Sequence, residues 1–128
     1  MSWQTFLAIG SGGFIGAVLR SYLNGLISHK FPHDLPYGTL GVNLLGSLLM
    51  GILVAYFMYT TYFSLHVKSF FTTGVLGALT TYSTFAIESV LLLSGSNFFL
   101  AGANMMLNMF GTVLFAGIGF YFTSLALK

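Results

Sequence analysis

The sequence carries very little charge. Of its 128 residues only 5% are Asp, Glu, Lys or Arg, whereas 56% are hydrophobic. A soluble domain carries about 25% charged residues, so this chain has too few charges to cover a globule with a hydrated surface. Its aromatic content of 17% also excludes a disordered chain, because disordered segments are poor in aromatic residues. The composition therefore predicts an integral membrane protein that forms a single domain over residues 1–128.

Other absences exclude further classes of protein. Cysteine is missing altogether, so the chain has neither a disulfide framework nor a thiolate metal site. The four Lys and Arg residues form no cluster, and a nucleic-acid partner requires a concentrated positive surface. The only two carboxylates, Asp34 and Glu88, lie far apart in the chain. We therefore expect neither a nucleic-acid-binding protein nor an enzyme.

Four apolar segments are long enough to cross a bilayer, which requires about 20 residues of helix. They run over residues 3–27, 40–59, 69–94 and 98–127. Polar breaks separate the segments, and the first break contains both prolines, as is typical of a loop between helices. The first segment lacks the positive start and small-residue cleavage site of a signal peptide. The sequence thus predicts an all-α protein with four transmembrane helices.

The positive charges do not decide the orientation in the membrane. Four crossings place Lys68 and Lys128 on one side, and Lys30 together with Arg20 on the other. Orientation follows the Lys and Arg bias of short loops, and here the two sides are equal. Two interpretations stay open: a preference that the count does not resolve, or insertion in both orientations, which would allow an antiparallel homodimer.

Two charged residues lie inside the apolar segments, where charge is costly. Arg20 in the first segment is either a fixed positive charge that draws anions into a vestibule, or a side chain that extends to the interface near the helix end. Glu88 in the third segment could belong to a proton or cation relay. It has no titratable neighbours nearby in the sequence, which favours a partnered or water-exposed carboxylate near a vestibule.

Neutral polar side chains recur along the fourth segment. Asn104, Asn108 and Thr112 are spaced four residues apart, which places them on one face of a helix. This face either forms hydrogen bonds between helices or lines a narrow pathway. Asn43 supplies a further amide in the second segment.

Glycine is abundant, with 16 residues in the chain. Gly12 and Gly16 form a Gly-x-x-x-Gly pair in the first segment, and Gly41, Gly46 and Gly51 recur in the second. Small residues let helix backbones approach closely in a membrane, so we expect these glycines to serve tight helix packing.

The third segment contains five consecutive hydroxyl-bearing residues, Thr80 to Thr84, just after Gly77. Ser and Thr side chains compete for backbone hydrogen bonds, and glycine weakens a helix. The run therefore predicts a helix that is broken near the middle of the membrane. Non-helical backbone at that depth is tolerated only where it is buried in protein or lines a cavity. Its free carbonyls could coordinate a cation and its hydroxyls could serve an anion, which is typical of channels and transporters.

Three stretches resemble the signature motifs of the Fluc/CrcB fluoride channels. They are Gly12-Gly13-x-x-Gly16-Ala17-x-x-Arg20, Gly38-Thr39-Leu40-x-Val42-Asn43-x-x-Gly46 and Gly77-x-Leu79-Thr80-Thr81-Tyr82-Ser83-Thr84-Phe85. The run Asn104-x-x-x-Asn108-x-x-Gly111-Thr112 is similar to a variant of the fourth helix of that family. The resemblance covers essentially the whole chain in order.

The resemblance implies an antiparallel, dual-topology homodimer in the inner or plasma membrane of a bacterium, surrounded by lipid. Two pores at the subunit interface would export fluoride from the cytoplasm down its electrochemical gradient. Backbone carbonyls of Gly77 and Thr80 from both subunits would hold a structural sodium ion, and Arg20 and Glu88 would lie toward a vestibule. The implied anion pathway comprises Asn43, Tyr82, Ser83, Thr84, Phe85, Asn104, Asn108 and Thr112.

One position departs from the family pattern. Tyr82 stands where the family usually has Phe, so its ring keeps a positive edge but its hydroxyl adds a hydrogen-bond donor and acceptor. Neutral donors and ring edges suit fluoride, because removing water from this small anion is costly unless other donors replace it.

Two alternatives stay open at the level of the sequence. Small four-span exporters that couple toxic cations to protons have about this length, but they depend on a carboxylate in the first helix. Here that helix carries Arg20, and Glu88 is the only candidate. The second alternative is a structural subunit of a larger membrane complex, which would transport nothing by itself.

Overall fold

The computed structural model describes residues 1–128 and is helical throughout, apart from short connections. The helices are α1 (Trp3–Lys30), α2 (Tyr37–Tyr59), α3 (Leu65–Ser69), α4 (Gly77–Leu79), α5 (Tyr82–Ser94) and α6 (Phe98–Leu127), with a π-helical segment, Phe70–Leu76, between α3 and α4. Together α3, the π-helical segment, α4 and α5 form the third span, Leu65–Ser94. This span and α1, α2 and α6 are each long and apolar enough to cross a membrane, which confirms the four-span prediction.

Three of the four spans extend beyond the predicted apolar segments. The first helix continues to Lys30, the second begins at Tyr37, and the third begins at Leu65. Hydropathy marks the part of a helix that lies in hydrocarbon, whereas the helix itself ends where capping groups or prolines stop it. Pro36 directly precedes α2. The Ser2 hydroxyl accepts a hydrogen bond from the Thr5 amide, at 3.2 Å, and so caps α1.

The third span changes its packing partner along its length. The part before residue 80 packs against α1, whereas α5 packs against α6. The second helix lies between these regions and packs mainly along α6. A straight helix would stay beside one neighbour, so the break is what allows the third span to join the two halves of the bundle.

Glycines bring α1 against the π-helical segment, as the Gly-x-x-x-Gly pair predicted. A Cβ added to Gly74 would lie 2.9 Å from the Cα of Gly12. A Cβ added to Gly16 would overlap the carbonyl oxygen of Val75. Only glycine permits this approach of two backbones, which supplies dispersion contacts in a solvent that offers no hydrophobic drive for association.

Aromatic side chains form a cluster at the end of the bundle that contains both termini. The rings of Tyr56, Phe57 and Phe63 lie 5.7 to 6.1 Å apart between centroids. The ammonium group of Lys68 lies over the Phe57 ring, 5.9 Å from its centroid. Aromatic and basic residues are typical of the interface between hydrocarbon and water, so this cluster marks one membrane surface.

The glycine contact predicts a position-specific effect on stability. Gly16→Ala should lower the thermal unfolding midpoint of the purified protein in detergent, because the added methyl group meets backbone that cannot rotate away. Overpacking of this kind costs about 1–3 kcal/mol. Gly13→Ala is the matched control, since a Cβ there has no neighbour within 4 Å. Equal midpoints for the two variants would contradict the packing described here.

Candidate functional site at the helix break

The break in the third span consists of two extended residues. Thr80 has φ −83° and ψ 155°, and Thr81 has φ −146° and ψ 116°. The Thr81 hydroxyl accepts a hydrogen bond from the Thr84 amide at 3.3 Å and caps α5. The predicted break is confirmed, but it is narrower than the hydroxyl run, because Tyr82, Ser83 and Thr84 already belong to the first turn of α5.

A single side chain on α2 satisfies the backbone at the break. Asn43 Oδ1 accepts a hydrogen bond from the Thr81 amide at 2.7 Å, and Asn43 Nδ2 donates to the Thr81 carbonyl at 3.1 Å. We term these two bonds the Asn43 clamp. An unpaired backbone group in hydrocarbon costs several kcal/mol, and the clamp removes that cost for both polar groups of Thr81.

The clamp is the first member of a longer chain of hydrogen bonds. Asn43 Nδ2 also donates to Asn108 Oδ1 at 2.9 Å, and Asn108 Nδ2 donates to the side-chain and backbone oxygens of Asn104 at 3.0 and 2.9 Å. Asn104 Nδ2 donates to the Ser89 hydroxyl at 3.0 Å, which donates to the Phe85 carbonyl at 2.9 Å. We term Asn43, Asn108, Asn104 and Ser89 the amide ladder. It joins α2, α6 and α5.

The diverted amides leave two carbonyls without their helical donors. In a continuous helix the Gly77 carbonyl would accept from the Thr81 amide, which instead donates to Asn43. The Thr80 carbonyl would likewise accept from the Thr84 amide, which instead donates to the Thr81 hydroxyl. The carbonyls of Ala78 and Leu79 lie at the same helix end and also lack helical donors. Those of Gly77 and Thr80 are the two that the sequence resemblance implied for a cation.

A cleft of about 630 Å³ opens beside the break, between α2, α5 and α6. Its wall combines amides, hydroxyls and aromatic rings with a row of methionines on α6. The lining residues are Asn43, Ser47, Thr80, Thr81, Tyr82, Phe85, Met105, Met106, Asn108, Met109, Thr112 and Val113. The Tyr82 and Phe85 rings meet at an interplanar angle of 73°, with their centroids 5.4 Å apart.

The structure brings most, but not all, of the predicted pathway residues to this cleft. Asn43, Tyr82, Phe85, Asn108 and Thr112 line it. The others lie away from the wall: Asn104 is fully buried behind Asn108, and Ser83 and Thr84 lie on the first turn of α5.

The two charged residues predicted for a vestibule also lie outside the cleft wall. Arg20 is half-buried on α1. Glu88 is half-buried on α5, beside the Thr39 hydroxyl of α2. Glu88 Oε1 and Thr39 Oγ1 are nonetheless buried without a hydrogen-bond partner.

Several residues of the site were not identified from the sequence. Ser47 lies four residues after Asn43 and Ser89 four residues after Phe85, so helical spacing from a residue already chosen would have pointed to both. Met105, Met106 and Met109 line the cleft as well. Their apolar side chains carry no signal that separates a cleft wall from a lipid-facing surface.

Comparison with known proteins gives one consistent family. The family model described as CrcB-like protein, Camphor Resistance (CrcB), matches residues 7–120. A protein of Sulfurimonas denitrificans named fluoride-specific ion channel FluC is 73% identical over 128 residues, which cover 100% of this chain and 99% of the relative. Proteins of the same name from Nautilia profundicola and Campylobacter jejuni are 47% identical over 120 residues and 43% identical over 117. These matches cover 94% and 91% of this chain, and 94% and 95% of the respective relatives.

The clamp predicts that an isosteric change at Asn43 is destabilising. Asn43→Asp retains an acceptor for the Thr81 amide but directs a second oxygen at the Thr81 carbonyl and at Asn108 Oδ1. The Thr81 carbonyl and Asn108 Oδ1 then lose the hydrogen that Asn43 donated to them. Each buried acceptor left without a donor lowers the free energy of unfolding by about 1–3 kcal/mol, so the thermal midpoint should fall. Asn24→Asp is the matched control, because Asn24 Oδ1 only accepts, from the Ser28 hydroxyl at 3.1 Å. An Asn43→Asp midpoint equal to that of the control would refute the clamp.

Proposed function

Since the chain belongs to the CrcB family, we propose that it is a passive, fluoride-selective channel of the inner or plasma membrane. In this role it lets fluoride leave the cytoplasm down its electrochemical gradient. The family is one of ion channels and not of enzymes. The observation that carries the proposal in the structure is the cleft lined by neutral polar side chains and aromatic rings beside the broken helix.

The chemistry of the cleft suits a small, strongly hydrated anion. Fluoride gives up its water only where other donors replace it, and ring edges carry the positive part of the aromatic quadrupole. Asn43, Asn108, Thr112, Tyr82 and Phe85 place neutral polar groups and ring edges along one wall. Because none of these groups is charged, an ion can be held and still be released, as conduction requires. Arg20 would draw anions toward the vestibule, with Glu88 at its wall.

The complete pathway requires a second copy of the chain. The cleft is open along one side, where the Tyr82 side chain is 82% exposed. We propose that two copies pack in antiparallel orientation and close two pores, one per subunit, with lipid around them. The equal Lys and Arg counts on the two sides of the membrane support insertion in both orientations.

A structural sodium ion fits the donors that the break sets free. The carbonyls of Gly77 and Thr80 have lost their helical donors, and carbonyl oxygens are suitable ligands for a hard monovalent cation. Gly77 is exposed on the surface of the single chain, so carbonyls of two subunits can contribute to one site. We propose that Gly77 and Thr80 hold this ion and that it supports the subunit contact.

Anion efflux from vesicles tests the proposed function. Purified protein is reconstituted into liposomes loaded with potassium fluoride or potassium chloride, and a potassium ionophore is added without a proton gradient. Fluoride should leave rapidly while chloride is retained, because the donors and the narrow space suit the smaller anion. Protein-free liposomes give the background. Retention of both anions, or equally fast loss of both, would overturn the proposal.

The same assay tests the sodium ion. Protein that is purified and reconstituted with N-methylglucamine in place of sodium should release fluoride more slowly, and sodium added back should restore the rate. Unchanged efflux after exhaustive removal of sodium would refute the ion while leaving the channel proposal intact.

Cysteine labelling tests the two orientations, since the natural chain has no cysteine. Tyr62→Cys and Asn97→Cys place a thiol at opposite ends of the bundle, in exposed loops, without changing the charge count. In cells whose outer face is accessible, a membrane-impermeant thiol reagent should label about half of each variant, because equal Lys and Arg counts give no preferred orientation. Full labelling of one variant and none of the other would establish a single orientation.

A further inference from the structure

The amides on the cleft wall have already donated their hydrogens within the chain. Both Nδ2 hydrogens of Asn43 are engaged, one by the Thr81 carbonyl at 3.1 Å and one by Asn108 Oδ1 at 2.9 Å. Asn108 Nδ2 donates to two oxygens of Asn104, at 2.9 and 3.0 Å. An anion can obtain a hydrogen bond from these amides only if a buried bond of the ladder is broken.

The threonine hydroxyls on the wall are engaged in the same way. Thr112 Oγ1 donates to the Asn108 carbonyl at 2.6 Å. Thr80 Oγ1 donates to the Leu76 carbonyl at 3.3 Å, and Thr81 Oγ1 donates to Thr84 Oγ1 at 3.0 Å. An anion can therefore take a hydrogen bond from one of these hydroxyls only if that existing bond is broken.

Two hydroxyls of the cleft wall form no hydrogen bond within the chain, those of Ser47 and Tyr82. The Tyr82 hydroxyl stands at the end of an exposed ring. Ser47 is half-buried on α2, one helical turn beyond Asn43, and no residue of the chain accepts its hydrogen. It is thus the one wall hydroxyl that is both partly shielded from the surroundings and free to donate.

We infer that the Ser47 hydroxyl binds fluoride directly, while the amide ladder positions the wall around it. The inference rests on the proposed function and identifies which group of that site contacts the ion. A free hydroxyl donates without the loss of an existing bond, whereas an engaged amide must give one up. Ser47 also lies beside the break, since it lines the same cleft as Thr80 and Thr81, and the neighbouring Gly46 lies against the Thr80 side chain.

The test compares fluoride efflux through wild type, Ser47→Ala and Ser47→Cys. The alanine variant removes the donor, and the cysteine variant replaces it with a weaker one of nearly the same shape. Because a hydrogen bond to a charged group is strong, efflux should fall at least about tenfold with alanine and by less with cysteine. Thermal midpoints should stay close to wild type, since no bond within the chain is lost.

Ser11→Ala is the matched control, because the Ser11 hydroxyl is exposed on α1 and donates to the Leu7 carbonyl at 2.8 Å. Efflux within about twofold of wild type for Ser47→Ala would overturn the inference and leave the channel intact. Absence of fluoride efflux from wild type would instead overturn the proposed function. If the Ser47→Ala variant does not fold, the test compares Ser47→Cys with wild type. Equal efflux rates would overturn the inference, and a lower rate for Ser47→Cys with an unchanged thermal midpoint would support it.

Discussion

The pair of hydrogen bonds between Asn43 and the backbone of Thr81 is the interaction on which the rest of the structure depends. In hydrocarbon, a helix can be interrupted only where its polar groups find other partners. One amide does this for both groups of Thr81. The interruption then lets the third span pack on α1 before residue 80 and on α6 after it, and the cleft lies where the direction changes. The clamp thus stabilises the interruption beside which the cleft lies.

The ladder shows how one residue type meets two competing demands. Amides join helices well in a membrane because each can donate and accept, and the same property makes them suitable ligands for an anion. In this chain the donors of Asn43 and Asn108 point at other protein oxygens. The engaged amides hold the wall in place, and the Ser47 hydroxyl has no such partner within the chain. If the Ser47 hydroxyl binds the ion, as we propose, the stiffness of the wall and the contact with the ion depend on different side chains of one face.

The sequence was sufficient for the features that depend on local chemistry. Hydropathy located four spans, the hydroxyl run located the break, and the spacing of Asn104 and Asn108 placed them on one face. It was insufficient where the outcome depends on distances between helices. The residue types of the π-helical segment Phe70–Leu76 do not distinguish it from an ordinary α-helix. Asn104 is buried behind Asn108 instead of lining the cleft. The packing of α2, α5 and α6 determines which oxygen accepts the hydrogen bond of each amide. The sequence alone therefore could not show that the Ser47 hydroxyl has no partner.

One irregularity of the backbone creates two environments of opposite polarity. The helical run that ends at Leu79 directs its last carbonyls at the break, and a helix C-terminus carries partial negative charge that favours cations. The helix that starts at Tyr82 directs its first amides there, and an N-terminus favours anions. Since the side chains of Asn43 and Thr81 accept from the amides of Thr81 and Thr84, the carbonyls of Gly77 and Thr80 lose their helical donors. A charge-poor chain can therefore place an end of negative polarity and an end of positive polarity within a few residues, without a charged side chain at either. The proposed cation and anion sites depend on this arrangement.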